Sequence, residues 1–199
     1  MDQVVTAVRR LQSINILDGK VQELLRSRRQ SASAPHKSVI LLGSPRTGYS
    51  FTGMGLVRAL VEAQNTFHST TKIRISETED GGLDFSSQFA DIHPVSISQD
   101  AFLSLQKSLV LCHNDLEPRN ILVRADGEHT RGQPTVYKAV AIIDWELAGF
   151  HPFAYEFFYK DLVLGSSNLY FQWYRAFKDM TAVLFPDPLP DAQRSLMEV

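Results

Sequence analysis

The sequence contains a single cysteine, Cys112, so it carries no disulfide framework and cannot build a cysteine-based zinc cluster. Charge of one sign is equally scarce. The 20 Lys and Arg residues stand against 22 Asp and Glu, giving a formal charge of −2 and a pI near 6.3, with no basic footprint for nucleic acid. No apolar run approaches the ~20 residues that a membrane-spanning helix requires. The opening Met1-Asp2-Gln3 places an acid where a secretory signal would need an apolar stretch. These absences predict a soluble protein of a reducing compartment, the cytoplasm, without membrane or nucleic-acid partners. What is present is ordinary for a globular protein: 44% hydrophobic and 21% charged residues over 199 positions, long enough to bury a sizeable core.

Periodicity divides the chain. Val4, Val5, Val8 and Leu11 recur at helical spacing, and a second, basic helical stretch is expected over Val21–Arg29. Ser31-Ala32-Ser33-Ala34-Pro35 reads as a linker, and Ser38–Leu42 as a short strand. Leu56, Val57, Leu60 and Val61 give a helical face. From Asn65 to about Ser98, Thr, Ser, Asp and Gly dominate, which predicts an irregular excursion with at most a short strand at Lys72–Ile75. A short helix follows over Asp100–Lys107. Strands are expected at Leu109–Cys112, Ile121–Val123 and Val136–Ile143, the last two forming a hairpin through turns at Asp126-Gly127 and Gly132-Gln133-Pro134. Aromatic helices over Phe153–Leu164 and Leu169–Leu184 complete the chain, before a turn marked by Pro186, Pro188 and Pro190.

The densest chemical information lies between Leu109 and Pro152. His113, Asp115 and Asn120 stand in the pattern H-x-D-x-x-x-x-N, in a loop between two apolar strands. Asp144 follows another apolar strand. Phosphoryl transfer from a nucleotide needs a carboxylate to accept the proton of the acceptor hydroxyl, and hard oxygen ligands for the magnesium that bridges the phosphates. Asp115 suits the first task, Asn120 and Asp144 the second, and His113 suits a hydrogen-bonding brace without a proton-transfer role.

The segments HNDLEPRNILV and AIIDWELAGFHP closely resemble the aminoglycoside phosphotransferase and choline kinase superfamily, whose members share the protein-kinase fold. Their catalytic loop has the same H-(G/N)-D-L-x-x-x-N-I-L-V form, and I-I-D-W-E replaces the protein-kinase D-F-G. The run from Phe150 to Phe157 resembles the W-Y-P-E-Y-W-E continuation of fungal members. The resemblance implies Asp115 as catalytic base, Asn120 and Asp144 as magnesium and nucleotide ligands, and His113 as the loop histidine; Glu117 stands where many members have histidine. It also implies Mg2+ and ATP as cofactors, a small-molecule hydroxyl as acceptor, and an α+β, mainly helical C-terminal lobe with short β-hairpins carrying the catalytic and metal segments. On this reading 1–199 is a single lobe: a helical start (1–30), resembling the helix after the kinase hinge, a variable insert (31–108), the catalytic and metal segments (109–158), and C-terminal helices (159–199).

The phosphate-covering N-terminal lobe of such enzymes has no counterpart here. No glycine-rich hairpin precedes a strand bearing a lysine, and Lys37 lies before SVILL, not within it. A truncated phosphotransferase, a non-catalytic pseudokinase-like binding domain, and an enzyme using Asp115 as a general base without nucleotide all remain open at this point. The stretch Ser38–Ser50, G-x-P-R-T-G-x-S after a strand, resembles the 5′-phosphosulfate loop of sulfotransferases. A surface loop in the acceptor-binding insert is the favoured expectation for it. His36, His68, His93, His129 and His151 lack a ligand spacing, and Cys112 reads as a buried structural thiol. After the metal segment acidic residues are few (Glu156, Asp161, Asp179), which does not suggest a polycationic acceptor.

Overall fold

The spacing of Val4, Val5 and Val8 winds α1 (Asp2–Gln12) with all three valines buried. Asp2 in its first turn and Arg9 and Arg10 in its last complement the helix dipole. The computed structural model describes residues 2–15, 17–20, 23, 42–67, 72–89, 93–127, 135–163 and 170–185. The basic stretch Val21–Arg29 apart from Glu23, the linker before Pro35, the start of SVILL, the turn expected at Gly132-Gln133-Pro134 and the final proline turn lie outside the described residues. Within them the architecture is mixed, with five α-helices and three antiparallel sheets. No helix among the described residues is long and apolar enough to cross a membrane.

A four-stranded sheet of order β2-β1-β9-β6 joins distant parts of the chain. Its strands are β1 (Leu42–Ser44), β2 (Gly48–Ser50), β6 (Val110–Cys112) and β9 (Gly149–His151). Gly43–Ser50, expected as a surface loop, lies at the surface at Pro45, Arg46, Gly48 and Tyr49 but is built as part of a sheet. It is a tight hairpin with Ser44 and Thr47 buried, and Gly43 faces Phe150 across the sheet. β6 pairs with β9 through Val110–His151, Leu111–Phe150 and Cys112–Gly149. α1 is tied to this region by the Asn15–Val110 bridge and by Leu111 N–H donating to the Ile14 carbonyl at 3.1 Å.

The stretch expected to be irregular is a three-stranded meander: β3 (Ile73–Glu77), β4 (Leu83–Ser87) and β5 (Val95–Ile97). The physical reason was present as alternation. Ile73 and Ile75, Leu83 and Phe85, and Val95 and Ile97 each share one face, and Gly81-Gly82 is a hairpin turn, not a break. That face packs on α2 (Gly53–Phe67) and α3 (Gln99–Lys107) through Val57, Val61, Phe102 and Leu105. Ser98 caps α3, its hydroxyl accepting from Ala101 N–H at 3.2 Å.

The expected hairpin is present as β7 (Ile121–Ala125) and β8 (Tyr137–Ile142), with a register irregularity between Leu122 and Val123. Its inner face, Ile121 and Ile142, joins a core that also contains Val4 and Val8 of α1, Leu116, Phe153 and Phe157 of α4 (Phe153–Val163), and Phe177 of α5 (Phe171–Thr181). The Gln3 side chain accepts from Ala139 N–H at 2.6 Å, fastening α1 to β8. Lys178 lies 3.5 Å from the centre of the Phe157 ring and donates to the Phe157 carbonyl, joining α5 to α4.

β1 and β9 approach so closely that a Cβ on Gly149 would collide with the Gly43 carbonyl oxygen. Gly149→Ala is expected to lower the free energy of unfolding by roughly 1–3 kcal/mol, as overpacking does. Urea denaturation checks this; unchanged stability would show that the two strands can separate without loss.

Candidate active site

β6 ends at Cys112, and the chain turns sharply through Asn114, whose φ of 64° lies in the left-handed region that Asn tolerates better than most residues. Such a turn exposes backbone N–H groups in the interior, where they need acceptors. Glu156 of α4, 1% exposed, supplies them. Its carboxylate accepts from His113 N–H at 3.2 and 3.3 Å and from Asn114 N–H at 3.1 Å. The Asn114 amide donates to the Leu147 carbonyl at 2.9 Å.

His113 is fully buried and both of its ring nitrogens are engaged. Asp115 N–H donates to Nδ1 at 3.3 Å, which leaves the proton on Nε2, and Nε2 donates to the Ile143 carbonyl at 2.9 Å. The imidazole thus joins the loop bearing Asp115 to the residue before Asp144. Trp145 packs edge-on against it, ring centres 4.7 Å apart, and the indole N–H donates to the Ile142 carbonyl at 2.9 Å.

The single-turn 3-10 helix Pro118–Asn120 returns the chain toward Asp115. The buried Asn120 amide nitrogen donates to the Asp115 carbonyl at 2.7 Å and to its carboxylate at 2.9 Å. Ile143 N–H donates to the Asn120 carbonyl at 2.9 Å, so Ile143 is tied to both His113 and Asn120. Asp144 follows at φ 64° and ψ 62°, with its side chain exposed. His113, Asp115 and Asn120 are therefore linked by direct hydrogen bonds, and Asp144 joins them through Ile143.

Arg119 donates to Asp115 at 3.2 Å and forms an ion pair with Glu117 at 3.1 Å. The charges of Glu117 first and Asp115 second hold the guanidinium above its usual pKa. With the Asn120 nitrogen engaged by Asp115, its side-chain oxygen is the end left for a cation. A carboxylate and an amide oxygen fit magnesium, which takes few protein ligands and completes its shell with phosphate and water. Among the described residues no group of three or more His, Cys, Asp or Glu is arranged to hold a metal ion.

Over its described part, Leu42–Ser50, the stretch resembling a phosphosulfate loop is the β1–β2 hairpin. Ser44 N–H donates to the Thr47 hydroxyl, and at the start of α2 the Thr52, Gly53 and Gly55 N–H groups donate to Ser50, Gln106 and Thr52 side chains. Cys112 is buried, and burial first, then the Glu156 charge, push its thiol well above the usual value, so it is no nucleophile. Two residues of the site escaped the sequence pattern. Arg119 lay inside the motif without an assigned role. Glu156 read as an acid on the acceptor side, whereas it lies beneath the loop; a lone carboxylate within Phe153–Phe158 was the available signal.

Glu156→Gln retains shape but removes the charge that holds two backbone N–H groups. It is expected to lower stability by about 1.5–3 kcal/mol, the range for hydrogen bonds to charged groups; denaturation curves that coincide with the wild type would dismiss this anchor. His151 offers a second test. It is fully buried, stacked on Tyr155 with ring centres 4.6 Å apart, and neither ring nitrogen has a hydrogen-bond partner among the described residues. Burial lowers its pKa from 6.5 to about 3. Between those values the unfolded chain binds a proton that the folded chain refuses, so stability falls as pH drops from 6.5 toward 3, by up to about 1.4 kcal/mol per pH unit. His151→Phe should flatten that part of a melting-temperature profile; parallel profiles would exclude His151 as its source.

Comparison with curated proteins and with solved structures returns no match. The sequence model of the phosphotransferase enzyme family matches residues 55–177, more than half of the 199. That span contains the loop of His113, Asp115 and Asn120, the segment of Asp144, and the Glu156 that anchors the loop. The chain belongs to the phosphotransferase enzyme family.

Proposed function

We propose that the protein is a kinase-like phosphotransferase that moves the terminal phosphoryl group of Mg-ATP to a hydroxyl of a small molecule, on the C-terminal lobe of a protein-kinase-like fold. The observation that carries this reading is the linkage of Asp115, Asn120 and the Asp144 segment through Ile143 and His113. Asp115 is the proton acceptor for the incoming hydroxyl; its side chain is only 18% exposed, and the Asn120 amide orients it. Asn120 and Asp144 hold the magnesium, which when bound neutralises the phosphate charge. His113 acts as a brace, since both ring nitrogens are occupied.

The outer face of the β7–β8 hairpin supports a nucleotide. Leu122 and Ile143 are exposed at 46% and 39%, and Ala141 lies opposite Leu122 on the same face. Leu122 and Ile143 lie within two residues of Asn120 and beside Asp144. An apolar surface beside oxygen ligands suits a molecule with a planar base at one end and phosphates at the other.

Calorimetry with Mg-ATP is expected to give saturable binding that Asp144→Ala abolishes and Asp115→Asn retains. In the same preparations, Asp115→Asn should reduce slow hydrolysis of the nucleotide by about 10²-fold or more, the scale of general-base loss. No binding at millimolar nucleotide would sink the proposal and favour a non-catalytic binding domain.

A further inference from the structure

Arg119 is the middle residue of the 3-10 turn, between the carboxylate of Asp115 and the amide of Asn120. Its side chain is 59% exposed, yet the guanidinium bends back onto the loop. Nε forms an ion pair with Glu117 Oε2 at 3.1 Å, and one terminal nitrogen donates to Asp115 Oδ2 at 3.2 Å and less closely to Oδ1 at 3.4 Å. Among the described residues it is the sole cation paired with Asp115 or Glu117. One terminal nitrogen straddles both Asp115 oxygens, which is not the fork in which two nitrogens meet one carboxylate, and the second terminal nitrogen has no hydrogen-bond partner among the described residues. Glu117, only 8% exposed, holds the Nε end in place.

An ion pair this exposed is weak and is exchanged readily for a stronger anion. A hydroxyl that gives its proton to Asp115 must lie within hydrogen-bond reach of that carboxylate, and the phosphorus it attacks lies one bond further on. The guanidinium that already touches Asp115 is therefore next to the phosphoryl group in transit. In that transfer the hydroxyl proton passes to Asp115, an O–P bond forms, and the P–O bond to the departing diphosphate breaks with its electron pair. Charge develops on the three outer oxygens of the moving group. Asn120 and Asp144 serve the metal on this reading, and Arg119 is the cation that the described residues place against Asp115.

We propose that Arg119 is a catalytic residue that rests on Asp115 and Glu117 when no nucleotide is bound and turns onto the terminal phosphoryl group when one is. It stays protonated throughout and contributes charge and fork-shaped donors to the three outer oxygens. This rests on the phosphotransferase reading above and adds a residue to it.

The test is binding, by calorimetry, of Mg-ADP and of a Mg-bound non-hydrolysable ATP analogue to the wild type, Arg119→Gln and Arg119→Lys. Arg119→Gln should weaken the analogue about tenfold or more and leave Mg-ADP within about twofold, because only the former carries the phosphate that Arg119 contacts. Arg119→Lys, with charge but no fork, should fall between, and it gives the same comparison if the glutamine variant does not fold. Equal weakening of both nucleotides, or of neither, would overturn the role of Arg119 while leaving the phosphotransferase reading intact. A wild type that binds neither nucleotide overturns both.

Discussion

Two backbone N–H groups at the sharp turn after β6 face the interior, where water cannot serve them, and the site depends on how they are satisfied. Glu156 meets both with one buried carboxylate carried on α4. Asn114 can then hold a left-handed conformation, and the chain reverses so that Asp115 emerges near the surface while His113 points inward. A buried carboxylate is costly unless hydrogen bonds surround it. The helix and the loop therefore stabilise each other: the loop gives the carboxylate two backbone donors, and the carboxylate gives those N–H groups an acceptor.

From that anchor the arrangement spreads through short, directed bonds. His113 links Asp115 N–H to the Ile143 carbonyl, and Asn120 links the Asp115 carboxylate to Ile143 N–H through its own carbonyl. Asp144 thus follows Ile143, the residue just past β8, which is held from two sides. The same strand belongs to the hairpin that packs on α1 and α5, so the position of Asp144 is referred to the hydrophobic core and not to a free loop. β9, immediately after this segment, pairs with β6 immediately before the loop of His113 and Asp115 and with β1 from much earlier in the chain. Glycines at Gly43 and Gly149 are what permit the last of these contacts.

The legibility of the sequence followed the range of the interactions. Helical spacing in α1 and α3, and the pairing of β7 with β8, follow local patterns, and they read correctly. The meander over β3–β5 was legible in principle, since isoleucine, leucine, phenylalanine and valine alternate there. The short strands and the many Ser, Thr and Asp residues on the outer face concealed it. The hairpin of β1 and β2 was not legible, because its identity as part of a sheet depends on β9, which lies about a hundred residues away. Glu156 was hidden for the same reason: a glutamate in an aromatic helix has no local mark that distinguishes a solvated acid from a buried anchor.

Residue chemistry and spacing along the chain were enough to point to the family and to single out His113, Asp115, Asn120 and Asp144, because polar side chains in a fixed order between strands are a local property. Only the tertiary structure decided that His113 takes the Nε2–H tautomer, that Glu156 bears the loop, that Ser44 and Thr47 are buried in a hairpin, and that Arg119 leans on Asp115. Each of these is a contact between atoms whose directions are set by packing, and hydrogen bonds and ion pairs depend on direction and distance that a linear pattern does not contain.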